Sequence, residues 1–139
     1  MRTVMAFGTF DFLHPGHLFY LKKAKSLGGR LVVVVARDVN VNMIKGKRPL
    51  NHEKDRLALV KHLSFVDEAV LGDIDLRKWN VIKRFRPAVI ALGYDQWASI
   101  PSLQKELEKA GFSPEIVRIK AFKPSKNKST LMRSRHAVS

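Results

Sequence analysis

The chain is predicted to adopt a three-layer α/β/α fold around a five-stranded, mostly parallel sheet. Three observations carry that expectation. Short apolar runs without polar alternation recur along the chain, as strands buried on both faces do. Segments of helical periodicity separate them. The alternation of strand and helix repeats five times, which selects a parallel sheet covered by helices on both sides.

Val4-Met5-Ala6-Phe7, ended by Gly8, reads as the first buried strand. Thr9 to Gly16 is a loop rich in turn formers. Leu18, Leu21, Ala24 and Leu27 then recur every three residues among Lys22, Lys23 and Lys25, giving a helix closed by Gly28-Gly29. Leu31 to Ala36 is β-branched and unbroken, hence a central strand, and completes a right-handed βαβ unit. Asp38 to Pro49 reads as a polar, basic loop containing Lys45-Gly46-Lys47-Arg48. Asn51 is placed to cap a helix through Leu57, Ala58, Val60 and Leu63, with Glu53 and Asp55 in its first turn. Val66 and then Ala69-Val70-Leu71 give a third, shorter strand. Asp75 to Phe85 is a third helix, interrupted by Pro87, and Ala88 to Leu92 is a fourth strand ending at Gly93. Leu103 to Ala110 is helical and stops at Gly111. Ile116 to Ile119 is a fifth strand nearer an edge, because Arg118 and Lys120 interrupt it. Lys128 to Arg135 reads as a short last helix.

At 139 residues, with no internal repeat, linker or compositional break, the economical reading is one domain spanning residues 1–139. Hydrophobic residues make up 45% and charged residues 27%, which argues against disorder, collagen and coiled coil. Cysteine is absent, which excludes a disulfide framework, a thiolate nucleophile and a cysteine-based metal site. The longest apolar run is six residues, against about 20 for a membrane helix. The opening Met1-Arg2-Thr3 runs into a strand and is not read as a signal peptide; a cytoplasmic location without membrane contact is expected. Lys and Arg total 26 against 12 Asp and Glu, a net charge of +14. That excess favours anionic partners: nucleic acid, anionic membrane or phosphorylated small molecules. It also serves solubility alone. A non-enzymatic nucleic-acid-binding module is therefore one alternative, but the aromatic residues are not interleaved with Lys and Arg in a stacking stripe, and no RNA-recognition or zinc-finger pattern occurs.

In an open α/β sheet, ligands bind beyond the carboxyl ends of the strands. The loop after the first strand runs Gly8-Thr9-Phe10-Asp11-Phe12-Leu13-His14-Pro15-Gly16-His17, and is neither a Walker A loop nor a dinucleotide fingerprint. It still suits a phosphate. Gly8 leaves room over the strand end, Gly16 permits close backbone approach, and His17 opens a helix whose N–H groups favour an anion. On spacing alone the two histidines are also readable as zinc ligands or as surface and capping residues, and Asp11 as a turn cap.

Gly8-Thr9-Phe10-Asp11 followed by His14-Pro15-Gly16-His17 resembles the signature of the HxGH nucleotidyltransferase superfamily, in its cytidylyltransferase-like branch. Further segments are similar to that branch: Val35-Ala36-Arg37-Asp38, the basic Lys45-Gly46-Lys47-Arg48-Pro49, a helix arginine at Arg56, Phe65 to Gly72, Leu92-Gly93-Tyr94-Asp95-Gln96, and Ser129-Thr130 with Arg133. Gly93-Tyr94-Asp95-Gln96 looks most like the subgroup of archaeal FAD synthetases. Trp97 echoes the cytidylyl enzymes instead, and the subgroup's cysteine pair is replaced by Ser125-Lys126-Asn127-Lys128.

The resemblance implies a Rossmann-like nucleotidyltransferase fold and a transfer of AMP from ATP to the phosphate of FMN, giving FAD and pyrophosphate. Its alternative is a glycerol-3-phosphate or related cytidylyltransferase using CTP. It implies catalytic roles for His14, His17, Lys47 and Arg133. Thr9, Phe10, His14, Pro15, Gly16, His17, Asp95, Ser129 and Thr130 would bind the nucleotide, and Lys45, Lys47 and Arg48 the acceptor. Lys22 is a further candidate for the phosphates. A divalent ion, most simply Mg²⁺, would share the phosphate charge, with Asp11 the nearest protein ligand. Partners would be small phosphorylated substrates, with a homodimer the expected assembly.

Overall fold

The computed structural model describes residues 1–93 and 100–120. Strand β1 (Arg2–Gly8), helix α1 (Pro15–Ser26) and strand β2 (Gly29–Val35) are followed by two helices, α2 (Asp38–Lys45) and α3 (Glu53–Lys61). Then come β3 (Glu68–Leu71), α4 (Asn80–Phe85), β4 (Val89–Gly93), α5 (Ile100–Lys109) and β5 (Glu115–Ile119). The sheet order is β3-β2-β1-β4-β5 and every pairing is parallel.

Strand alternation splits the core into two layers. Val4, Ala6, Leu31, Val33, Val35 and Ala91 face α1 and α3, where Leu21, Ala24 and Val60 are buried. Met5, Val32, Val34, Ile90 and Leu92 face the other way, onto Ile82 of α4 and Leu103 and Leu107 of α5. This is the three-layer arrangement that the double-sided apolar runs require. The edge position expected for the fifth strand is observed.

Three boundaries differ from the sequence reading. The segment expected as a loop over 38–49 begins with helix α2. Asp38 in its first turn and Lys45 in its last complement the helix dipole, and Gly46 closes it at φ 79°. Helix α3 is capped by His52, not Asn51: the His52 ring nitrogen Nδ1 accepts the Lys54 N–H at 3.2 Å. Helix α4 is shorter than 75–85, because Arg77 folds back onto Asp75 and Trp79 sits at φ 56° ahead of the first helical residue. The short helix expected over Lys128 to Arg135 lies outside the described residues.

The chain leaves β1 toward β2 on one side and reaches β4 on the other, so the switch point of the sheet lies between β1 and β4. Register between them runs from Val4↔Val89 to Ala6↔Ala91, whereas β1 and β2 stay paired to Gly8↔Val35. At the end of the shorter ladder the buried Tyr20 hydroxyl accepts the Phe7 N–H at 3.0 Å and donates to the Ala91 carbonyl at 2.7 Å. A phenol from α1 thus takes the place of the next rung and lets the strand ends part. Tyr20→Phe, which removes only that hydroxyl, is expected to cost about 1–2 kcal/mol in urea denaturation.

Candidate active site

The loop leaving β1 turns sharply under its own strand. Phe10 adopts φ 56°, and its ring is 1% exposed. A Cβ on Gly8 would lie 2.5 Å from the tip of that ring. The space over the strand end, expected to admit a nucleotide, is therefore filled by Phe10. The ring also meets His17 edge-on, with centroids 5.4 Å apart. Phe10 can offer a ligand its backbone, but its side chain belongs to the core.

His14 is the N-cap of α1, and its Nδ1 accepts the Gly16 N–H at 3.1 Å. That bond leaves Nε2 as the donor nitrogen of His14. A Cβ on Gly16 would come within 2.9 Å of the imidazole, so glycine here makes room for the ring itself. Pro15, exposed at the first helical position, has no N–H to offer. His17 is the third residue of α1, and its N–H, like that of Leu18, is bonded to the His14 carbonyl. The N–H donors expected to receive an anion are thus engaged within the helix end. What remains for an anion is the imidazoles and the helix dipole. The rings of His14 and His17 stack with centroids 3.8 Å apart and planes at 26°.

Asp11 has a structural task in the loop. Its carboxylate accepts the N–H groups of Leu50 and Asn51, each at 2.8 Å, and the Asn51 side-chain amide at 3.1 Å. Burial pushes its carboxyl up, but these hydrogen bonds and the Arg56 charge outweigh that and hold it below the usual carboxylate range. A carboxylate so committed clamps two loops. Among the described residues no three His, Asp or Glu side chains converge on a common point. A Mg²⁺ ion at this corner would rest mainly on substrate phosphates, with Asp11 the nearest carboxylate.

Beneath this corner lies Arg56, whose side chain is wholly inaccessible to solvent. Its guanidinium donates to the Thr9 carbonyl at 2.7 Å, the Asn51 carbonyl at 3.0 Å and the Asp38 carboxylate at 2.6 Å. Asp38 and Glu53 cap one another: the Asp38 N–H donates to Glu53, and the Glu53 N–H to Asp38. Arg37 joins Glu53 to the carbonyl of Gly72. The loops after β1, β2 and β3 are thereby tied together. Burial raises the Asp38 carboxyl, but its bonds to Arg56 and to the Glu53 N–H and the nearby charges of Arg56 and His52 prevail and lower it.

Lys45, the last residue of α2, and Lys47 and Arg48, on the connection from α2 to α3, are exposed. That connection returns to the histidine loop through the Leu50 and Asn51 bonds to Asp11, so the structure brings the basic segment beside the loop carrying His14. Lys22 lies elsewhere, its ammonium 5.8 Å from the centre of the Phe65 ring. Asp95, Ser129, Thr130 and Arg133 lie outside the described residues. Sequence reasoning missed Tyr20 and the structural use of Asp38. A tyrosine on the buried face of a helix was the available signal for the first, since a buried phenol needs a partner.

Two outcomes are expected from this network. Arg56→Met removes the guanidinium that pairs the buried Asp38 carboxylate and should lower unfolding free energy by about 3–5 kcal/mol in chemical denaturation. Asp11 and Asp38 both titrate lower in the folded state than in the unfolded one. Their stabilisation is therefore present above the unfolded carboxylate range and is lost as the pH falls below about 4 and on through the folded pKa values. Thermal melts between pH 7 and pH 2 should show that decline, and Asp38→Asn should flatten it.

A cytidylyltransferase-like family model matches residues 5–135. A FAD synthase of Methanothermus fervidus is 51% identical, with the alignment covering 91% of this chain and 88% of that protein. A FAD synthase of Korarchaeum cryptofilum is 47% identical over 95% of this chain and 90% of its own length. Among solved structures, a Thermoplasma volcanium protein described as a lipopolysaccharide core biosynthesis protein superposes with a TM-score of 0.80 at 44% identity, covering 88% of this chain and 99% of that one. Pantoate-β-alanine ligase of Francisella tularensis shares the fold alone, at a TM-score of 0.56 and 12% identity over 88% of this chain and 60% of that one. With this match over nearly its whole length, and with the paired histidines at the open end of β1, the chain belongs to the cytidylyltransferase-like family.

Proposed function

We propose that the protein is an FMN adenylyltransferase, a FAD synthase. An oxygen of the FMN phosphate attacks the α-phosphorus of ATP. The bond from that phosphorus to the β-phosphate bridge breaks, pyrophosphate leaves, and FAD forms. A phosphomonoester is largely ionised near neutral pH, its second pKa lying at about 6. The acceptor is thus already a nucleophile and needs no strong base. Positioning and charge neutralisation supply the acceleration.

The observation that carries this reading is the stacked pair of imidazoles at the open end of β1, beside the switch point of the sheet. His14, fixed by the Gly16 N–H, presents Nε2 as a donor. His14 and His17 together stabilise the charge that builds on the α-phosphate and the departing pyrophosphate. Thr9, Phe10, Pro15 and Gly16 shape the corner through their backbone. Lys47, with Lys45 and Arg48, meets the acceptor phosphate. By resemblance to the family, Asp95 binds the nucleoside, Ser129 and Thr130 the outer phosphates, and Arg133 the leaving group. A divalent ion held mainly by the substrate phosphates would share their charge. The relatives named FAD synthase support FMN as the acceptor.

ATP or CTP supplied with FMN, glycerol 3-phosphate or phosphoethanolamine, with pyrophosphate release and product both measured, tests the reading. FAD should form from ATP and FMN alone; CTP turnover with glycerol 3-phosphate would contradict it. His17→Ala should lower kcat by about 100-fold or more without unfolding the chain, as expected for lost transition-state electrostatics.

A further inference from the structure

Most of the large apolar side chains left exposed on the described residues lie on three connections; Met1, Leu59 and Leu76 are exposed as well. Phe12, Val39, Met43, Ile44, Leu50 and Ile74 all lie on connections that follow β1, β2 and β3. Met43, Ile44 and Leu50 are 68%, 69% and 79% exposed. Hydrogen bonds unite these connections: Asp11 takes the Leu50 N–H at 2.8 Å, and the Asn40 amide donates to the Asp73 carbonyl at 2.8 Å. The exits of three neighbouring strands, at the ligand-binding edge of the sheet, thus each carry exposed apolar side chains and are tied to one another. Apolar side chains gathered in one exposed place mark a binding surface.

The same connection carries Lys45, Lys47 and Arg48, which form no ion pair among the described residues. Apolar and cationic groups therefore adjoin along one short segment, Met43 to Leu50. FMN has the matching halves, a planar apolar ring at one end and a dianionic phosphate at the other, joined by a ribityl chain. If that phosphate is to reach the α-phosphorus at His14 and His17, the ring must lie a short way out, over the adjoining loops. Thioether sulfur and aliphatic side chains suit the face of an aromatic ring. A second copy of this chain is a poorer match. Interface cores are depleted in lysine, and facing copies would oppose two sets of three cations on chains already carrying +14.

We infer that the exposed face of α2 and the segment following it seat the isoalloxazine ring of FMN, while Lys45, Lys47 and Arg48 hold its phosphate. This inference rests on the adenylyltransferase reading and assigns the ring its place within that site. The double variant Met43→Gln, Ile44→Gln tests it. Both side chains are solvent-exposed, so the thermal melt should be unchanged. KM for FMN should rise about tenfold or more, the scale of the apolar contact removed, while KM for ATP and kcat at saturating FMN hold. Riboflavin has the ring but no phosphate. It should compete with FMN in the wild-type enzyme and in Lys47→Ala, and lose that competition in the double variant. An unchanged KM for FMN overturns the inference. So does a change of oligomeric state in light scattering that accounts for the whole effect, since the face would then belong to a second copy. If the wild-type chain makes no FAD, it is the reaction that has been misread. Fluorescence titration of FMN against wild type and double variant then still decides the ring site, with equal affinities overturning it.

Discussion

One buried guanidinium organises the functional edge of this protein. Arg56 reaches from α3 into the sheet edge and binds two backbone carbonyls and one carboxylate, with no water in reach of its side chain. A charge so placed is stable only if its donors are matched, which fixes the relative positions of Thr9, Asn51 and Asp38. Thr9 leads into Phe10 and the histidine loop. Asn51 and its neighbour Leu50 hold Asp11 from the other side. Asp38 starts α2. The value of such an ion pair lies less in net stability than in the single arrangement it permits.

From that frame the electrostatic logic follows. The site is built to receive charge, and its own carboxylates are turned inward. Asp11, Asp38 and Glu53 all accept protein N–H groups, and Asp38 the Arg56 guanidinium as well, so little negative charge faces the corner where phosphates would sit. The cations of the basic segment stay at the surface. The histidine pair is held differently: one ring is pinned by a backbone N–H, and the second is wedged between the first and Phe10. Fixed donors at a point of developing charge need little rearrangement during reaction, which is how a site without a strong base accelerates phosphoryl-type transfer.

The strands were legible because they are buried on both faces. Leu31 to Val35 has no polar residue, and a run of that kind has few other readings. The histidine loop was legible as a motif, and its position beyond β1 followed from the sheet. The local mechanics were not. Gly8 and Gly16 signalled open space for a ligand, yet each accommodates an aromatic or imidazole ring of this chain, a long-range or rotamer-level fact that spacing does not carry. Helix α2 was hidden because charge and amide residues dominate the segment. Its apolar residues mostly face outward, so the usual buried stripe is missing. The His52 cap displaced the better-known capping residue Asn51, whose amide is committed to Asp11. Tyr20 signalled only that a buried phenol needs a partner; which partner could not be read, because the gap it bridges exists only once β1 and β4 are side by side.

The most direct test of the account is a crystal structure of the chain with FMN and an ATP analogue whose bridge between the α- and β-phosphates cannot be cleaved. The account predicts the α-phosphate against both imidazoles, with His14 donating through Nε2 and the FMN phosphate approaching from the side of Lys47. A triphosphate bound away from the end of β1, with His14 and His17 touching no phosphate, would contradict it.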